Sequence, residues 1–125
     1  MTNPPDLAKK DLSHVNLASA NLAGADLHEA SLRNATLKET NLEGADLTSA
    51  DLSHANLAGA SLRNASASHA NLADADLRDT DLEGTNLRGA SLGGAKLSDA
   101  QRTAAAAAGA NLDGRVGDGE AASGD

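Results

Sequence analysis

The stretch "ANLAGADLHEASLRNATL", residues 20–37, carries a Leu at every fifth position and a small residue two places before each Leu. The same period runs outward in both directions. Units centred on residue 7 and every fifth residue to 97 number 19, and 18 of the centres are Leu, with Ala67 as the exception. A period of five sustained over this length decides the fold.

Neither regular secondary structure repeats every five residues. On an α-helix successive Leu residues would step by about 140° around the axis, and on one long strand alternate Leu residues would face opposite sides. Within one unit, however, the small residue and the Leu share a face, and the last position often holds Gly or Asn, which suit a corner. The chain is therefore expected to wind into a solenoid with Leu inside. The period alone leaves the number of units per coil open.

The unit A-[DN]-L-x-x, as in residues 20–24 and 45–49, resembles the pentapeptide-repeat family, and the resemblance covers residues 6–99. It implies an all-β solenoid, a right-handed quadrilateral β-helix with four units per coil, so that residues 20 apart stack. The fold class expected here is such a β-helix of nearly five coils with a short C-terminal capping helix.

The unit centres form the expected core. They are Leu22, Leu27, Leu32, Leu37, Leu42, Leu47, Leu52, Leu57, Leu62, Ala67, Leu72, Leu77 and Leu82. Ala67 replaces a Leu between Leu47 and Leu87 in the stacked column, so we expect a small cavity or a local collapse there.

The two ends require caps, because an open coil exposes unpaired backbone groups. Ser98 and Gln101 have the spacing of a capping box, and an alanine run follows. Leu112 returns to the five-residue phase, so residues 100–114 could instead form a degenerate last coil. The helix is favoured, because a continued coil would bury Arg102. The expected segments are a lead-in at 1–5, the β-helix at 6–98, a cap at 99–114 with a helix at about 99–108, and a disordered tail at 115–125.

Composition excludes several functional classes. A formal charge of −8 disfavours direct binding to nucleic acid or to an anionic membrane surface. The chain has no Cys, no aromatic residue, no apolar run that could cross a membrane and no apolar signal segment, and a cytoplasmic location is expected.

No catalytic or cofactor-binding motif is present, and the sequence predicts neither an enzyme nor a bound cofactor or metal. The four His residues occupy outward positions, and His14 and His54 would lie about 10 Å apart, too far to share one ion. Asp6, Asp26 and Asp46 would stack on one side. We interpret Asp, Asn and Ser before each Leu as partners of nearby backbone groups.

The sequence therefore favours a non-enzymatic structural or protein-interaction module with an unidentified protein partner. The family resemblance also implies an alternative, a DNA mimic that binds DNA gyrase or another topoisomerase, although the Phe centres common in such members are lacking here. The sequence also allows a homodimer formed through one end of the solenoid. The candidate interaction patch comprises Asp74, Asp76, Asp79, Asp81 and Glu83.

Overall fold

A computed structural model describes residues 3–112, which form one stack of coils closed by one helix, α1, at Asp99–Ala107. Within this range the β structure consists of single-residue parallel bridges and contains no longer strand. The bridges join residues 20 apart, from Asp6 with Asp26 to Asp76 with Lys96. Four five-residue units therefore make each coil, as the family resemblance implied, while the right-handed sense stays a prediction.

The stack has four sides, which we number by their central residues. Side 1 is centred on residues 7, 27, 47, 67 and 87; side 2 on 12, 32, 52, 72, 92 and 112; side 3 on 17, 37, 57, 77 and 97; and side 4 on 22, 42, 62 and 82.

The backbone of each unit bonds to the coils on both sides of it. In a central unit, the N–H groups of Leu47 and Ser49 donate to carbonyls of the next coil at 2.6 and 2.9 Å, and that of Asp46 donates to the previous coil at 2.9 Å. The same three bonds recur from unit to unit. Because buried backbone groups require partners, this ladder fixes the register of the stack.

The remaining two N–H groups of the unit are satisfied locally. Asp46 Oδ1 accepts from the N–H of Thr48 at 3.0 Å, and the N–H of Ala50 closes a turn on the carbonyl of Leu47 at 3.0 Å. Equivalent side-chain bonds recur where Asp or Asn precedes the centre, as at Asn56 and Asn71. This is the backbone-bonding role that the sequence analysis gave to these residues.

Every corner between residues 9 and 94 has a positive φ at the last position of the unit. Gly and Asn were expected there, yet ten residues of other types, among them Lys9, Glu29 and Asp79, adopt φ of 58–65°. Such a φ costs an L-residue roughly 1–2 kcal/mol. At Gly89 a Cβ atom would lie 2.6 Å from Nδ1 of His69 in the coil below, so a side chain there would require the His69 ring to move.

The interior is filled by Leu and Ala. Every predicted core residue from Leu22 to Leu77 is at most 6 % exposed, whereas Leu82 is half-buried because α1 replaces the next unit above it. Where Thr replaces the inward Ala, its hydroxyl is bonded: Thr40 Oγ1 donates to the carbonyl of Leu17 at 2.8 Å and Thr80 Oγ1 to that of Leu57 at 2.7 Å. These Thr residues therefore bury no unpaired hydroxyl.

The first coil carries the full backbone register but little cover. Leu7, Leu12 and Leu17 are half-buried and Lys10 is exposed, although the N–H of Leu7 donates normally to the second coil at 2.8 Å. Lys10 occupies the position two places before a unit centre, which points inward in later coils. In this end coil the slot opens to solvent, so the ammonium group is not buried.

The helix α1 closes the other end. Ser98 is its N-cap, and the capping box with Gln101 is complete, since Ser98 Oγ accepts from the N–H of Gln101 and Gln101 Oε1 accepts from the N–H of Ser98. Ala105 is fully buried against the core. Gln101 Nε2 also donates to the carbonyls of Leu77 at 2.6 Å and Thr80 at 3.0 Å. In earlier coils the carbonyl at the position of Thr80 accepts a hydrogen bond from a backbone N–H of the next coil.

After α1 the chain returns to the solenoid. Asn111 bridges Ser91, donates to the carbonyl of Ala90 at 2.7 Å and accepts from the N–H of Leu92 at 2.7 Å. The two alternatives of the sequence analysis are thus both present: a helix, then a resumed coil in the original register. Residues 113 and 114 of the expected cap and the expected tail at 115–125 lie outside the described residues.

Ala67 supplies a test of core packing. It is fully buried, and its N–H keeps an ordinary ladder bond of 2.8 Å, so the backbone does not move aside at the missing Leu. We expect Ala67→Leu to raise the free energy of unfolding by about 1–3 kcal/mol in urea denaturation. Ala65→Leu, at the inward position that usually holds Ala, should lower the free energy of unfolding. Destabilisation by Ala67→Leu would instead show a collapsed site.

Gln101 supplies a test of the cap. Gln101→Glu keeps an acceptor for the N–H of Ser98 but removes the donor to Leu77 and Thr80, so it should destabilise the protein by about 1–3 kcal/mol. Hydrogen exchange should accelerate first in α1. Unchanged exchange in Gln101→Glu would contradict the role given to Nε2.

Candidate functional site

The outer surface holds the chemically varied side chains of the described solenoid, because its inner positions are mainly Leu, Ala and Thr. Residues directly before and after each centre point outward, and corner residues project from the edges. Each outer position recurs in the next coil, about 4.8 Å away along the axis of the stack. Functional groups can therefore meet either along one unit or between adjacent coils, as in pairs 18 or 20 residues apart.

A shallow groove of about 600 Å³ opens beside the start of α1. Its charged lining comprises Arg78, Lys96 and Arg102 with one acid, Asp79. The groove is open to solvent, and its lining contains no His and only one acidic residue.

The candidate interaction patch lies in one coil, but it does not form one flat surface. Asp74 occupies the corner of sides 2 and 3, Asp76 lies on side 3, Asp79 occupies the next corner, and Asp81 and Glu83 lie on side 4. The five carboxylates therefore wrap around two corners of the stack, and a single planar partner cannot contact all of them.

Basic side chains neutralise much of this patch. Arg78 Nε and Nη2 donate to the two oxygens of Asp76 at 2.9 and 2.7 Å. This bidentate hydrogen bonding lowers the pKa of Asp76 from 3.8 to about 2. Arg63, one coil below, pairs with Asp81 at 3.3 Å and Glu83 at 2.6 Å. Three of the five carboxylates thus have an arginine partner.

The other two carboxylates of the patch, those of Asp74 and Asp79, have no arginine partner among the described residues. His54 Nε2 lies 3.7 Å from Asp74 Oδ2, a pair that is charged only when the imidazole is protonated. Asp79 forms no ion pair with another described residue. The negative potential of the patch is therefore weaker than its five acidic residues suggest.

A second acidic cluster lies on side 1. Asp6, Asp26 and Asp46 stack through consecutive bridges, as the sequence analysis expected. His28 lies beside them: its Nδ1 is 2.6 Å from Asp26 Oδ1, and this hydrogen bond raises the pKa of His28 and lowers that of Asp26. The ligand atoms of Asp26, His28 and Asp46 lie within 4.8 Å of one another. We call these three residues the side 1 cluster.

The sequence analysis placed the Asp stack but did not connect His28 with it. Histidines in one column are too far apart to share an ion. The side 1 cluster instead combines Asp26 and His28 of one unit with Asp46, which lies 20 residues after Asp26. The readable signal is Asp-x-His at 26–28 with Asp at 46, once a coil of 20 residues is assumed.

The Arg78 pair predicts a pH dependence. The pKa of Asp76 is depressed in the folded state, so the pair stabilises the fold above about pH 4 and loses this effect as the pH falls toward about 2. Arg78→Gln should return the pKa of Asp76 toward 3.8 and reduce the loss of stability between these pH values. Carboxyl NMR titration of both proteins measures the shift, and an unchanged pKa in the variant would exclude Arg78 as its cause.

No helix among residues 3–112 is long and apolar enough to span a membrane. No curated protein matches the sequence. Solved structures do match. A pentapeptide-repeat protein from the thylakoid lumen of Arabidopsis thaliana is 31% identical with a TM-score of 0.64, over 94% of this chain and 85% of that protein.

A pentapeptide-repeat protein of the cyanobacterium Cyanothece 51142 is 42% identical with a TM-score of 0.55, over 70% of this chain and 64% of its own. QnrB1, a plasmid-mediated fluoroquinolone resistance protein, is 18% identical with a TM-score of 0.43, over 86% of this chain and 64% of its own, a likeness too distant to inform function.

The family models agree with the coil geometry. The model described as a pentapeptide repeat region matches residues 10–92, and the model of eight pentapeptide repeats matches residues 75–114. The second match extends through α1 to the resumed coil, which fits the return of Asn111 to the ladder. The chain belongs to the pentapeptide-repeat family.

Proposed function

We propose that this protein is a non-enzymatic interaction module that binds a protein partner through its outer sides. The observation that carries the proposal is the division of roles within each unit. Core side chains are uniform and buried, whereas side chains around each centre vary and are held in a rigid grid by the ladder. Such a surface can recognise a partner without any movement of the interior.

The filled interior also disfavours an enzyme. Ligand sites of enzymes are usually concave and enclose most of the substrate. Here twelve of the Leu side chains at unit centres are at most 2 % exposed, and the groove beside α1 is open to solvent. Binding of a macromolecule over a broad side of the stack fits this shape better than conversion of a small substrate.

Charge indicates the kind of partner. Residues 6–99 contain 14 acidic and 8 basic side chains, a net charge of −6. Arg63 and Arg78 compensate part of sides 3 and 4, while the Asp stack on side 1 has His28 as its ion-pair partner. A basic protein surface against side 1 is thus the favoured contact.

The alternative is a DNA mimic that binds a topoisomerase. Five coils span about 24 Å, a length over which duplex DNA carries about 14 charges. The net charge of −6 is less than half of that, and the arginine pairs on sides 3 and 4 interrupt the negative surface. The interaction module with another partner is therefore preferred.

The cytoplasmic location also belongs to this proposal. The acidic surface and the absence of Cys are compatible with it, while the Arabidopsis relative is a thylakoid lumen protein. Fractionation of cells that express the full protein would decide the compartment.

Partner capture with matched surface variants tests the proposal. Asp26→Asn/Asp46→Asn removes charge from side 1, and Asp81→Asn/Glu83→Gln removes the same amount from side 4. We expect a protein captured from extract by the wild type to be lost with the first variant, kept with the second, and released by salt because the contact is electrostatic. A captured set that neither variant changes would contradict recognition by these sides.

The topoisomerase alternative has a separate assay. Purified protein is titrated into a gyrase supercoiling reaction with and without a quinolone. Inhibition or protection that weakens with salt and in Asp81→Asn/Glu83→Gln would favour the mimic over the proposed module. No effect at high protein concentration is the expected result.

A further inference from the structure

We propose that the side 1 cluster, Asp26, His28 and Asp46, is a binding site for a divalent transition-metal ion such as Zn²⁺. The site goes beyond the proposed interaction function and does not depend on it. It rests on the donor set, on its rigid placement across two coils and on the lack of a Lys or Arg ion pair to either carboxylate among the described residues.

The donor set is suitable for such an ion. One imidazole nitrogen and two carboxylate oxygens are ligands that zinc and its neighbours accept, and the three ligand atoms already lie within 4.8 Å of one another. Ligands at about 2.1 Å from a tetrahedral ion are about 3.4 Å apart. Small side-chain rotations would therefore suffice, and solvent would complete the coordination.

The ladder holds the three residues in place. Asp26 and Asp46 are bridge partners, so their side chains leave the same side of the stack one coil apart. Asp26 Oδ1 accepts from the N–H of His28 at 3.2 Å, and Asp46 Oδ1 accepts from the N–H of Thr48 at 3.0 Å. All three side chains are half-buried. The site is thus largely formed before an ion arrives, which limits the ordering cost of binding.

A comparison within the molecule shows what the site lacks. Where Asp81 and Glu83 meet on side 4, Arg63 of the adjacent coil contacts both carboxylates. Asp26 and Asp46 also face each other between adjacent coils, but no Lys or Arg among the described residues forms an ion pair with either. Stacked like charges destabilise neighbouring strands. A divalent cation would neutralise both carboxylates at once.

His28 distinguishes this cluster from an ordinary group of surface acids. Its Nδ1 is 2.6 Å from Asp26 Oδ1, so the imidazole is already turned toward the carboxylates. On metal binding, the ion would replace the direct contact between His28 Nδ1 and Asp26 Oδ1. A carboxylate pair alone would favour weak Mg²⁺ or Ca²⁺ contacts, whereas the nitrogen donor favours Zn²⁺.

Isothermal titration calorimetry of the full, tag-free protein with ZnCl₂ tests the site. We expect one ion per chain, and we expect His28→Gln and Asp46→Asn each to weaken binding by about tenfold or more. His54→Gln is the matched control. His54 also lies beside one carboxylate, that of Asp74, but among the described residues no second carboxylate joins this pair in a group that could hold a metal ion. This control should keep the wild-type affinity within about twofold.

Three results would overturn the proposal. They are no binding at millimolar zinc, an unchanged affinity in His28→Gln, and an equal loss in His54→Gln, which would show unspecific binding to surface histidines. Thermal unfolding in EDTA verifies that each variant is folded. A zinc-induced change in the imidazole NMR signals of His28, with those of His54 unchanged, gives a second readout that no loss of fold could imitate.

Discussion

The backbone ladder between residues 20 apart is the constraint on which the rest of this structure depends. Three bonds per unit join each coil to its neighbours, and a local turn together with an Asp, Asn or Ser side chain satisfies the remaining N–H groups. With the backbone accounted for in this way, the interior needs only apolar volume. Leu and Ala supply it without any aromatic residue.

The same constraint decides where charges can interact. An outer residue has neighbours two positions away in its own unit and 20 positions away in the next coil. Arg78 uses the first relation to bind Asp76, and Arg63 uses the second to bind Glu83. His28 contacts Asp26 by the first relation, and Asp26 is joined to Asp46 by the second. Surface chemistry in this fold is therefore a property of the grid, and short linear motifs describe it poorly.

The sequence was sufficient for the inner positions, because Leu residues five apart can share one interior only if the chain turns within each unit. It was insufficient for the coil length, since the period does not count units, and the family resemblance supplied that number. Leu82 shows a second limit: it follows the repeat perfectly, yet it is half-buried because α1 interrupts the coil above it. The helix and the resumed coil are both present, and Gln101 Nε2 bonds the carbonyl of Thr80, which the ladder leaves without a backbone donor where α1 begins. The pairs of Arg63 with Asp81 and Glu83, which weaken the acidic patch, depend on side-chain reach between coils, which the sequence does not display.

The two ends of the described stack differ in cover, and this asymmetry sets an order of disassembly. At the C-terminal end, Ala105 of α1 is buried on the last coil and the capping box holds the helix in place. At the other end, the Leu centres of the first coil are half-buried and its outer edge has no described neighbour. In a molecule whose stability accumulates by contacts between adjacent coils, loss of structure starts at the less protected coil and proceeds along the axis. Among the described residues, the first coil is therefore expected to open before the coils nearest α1.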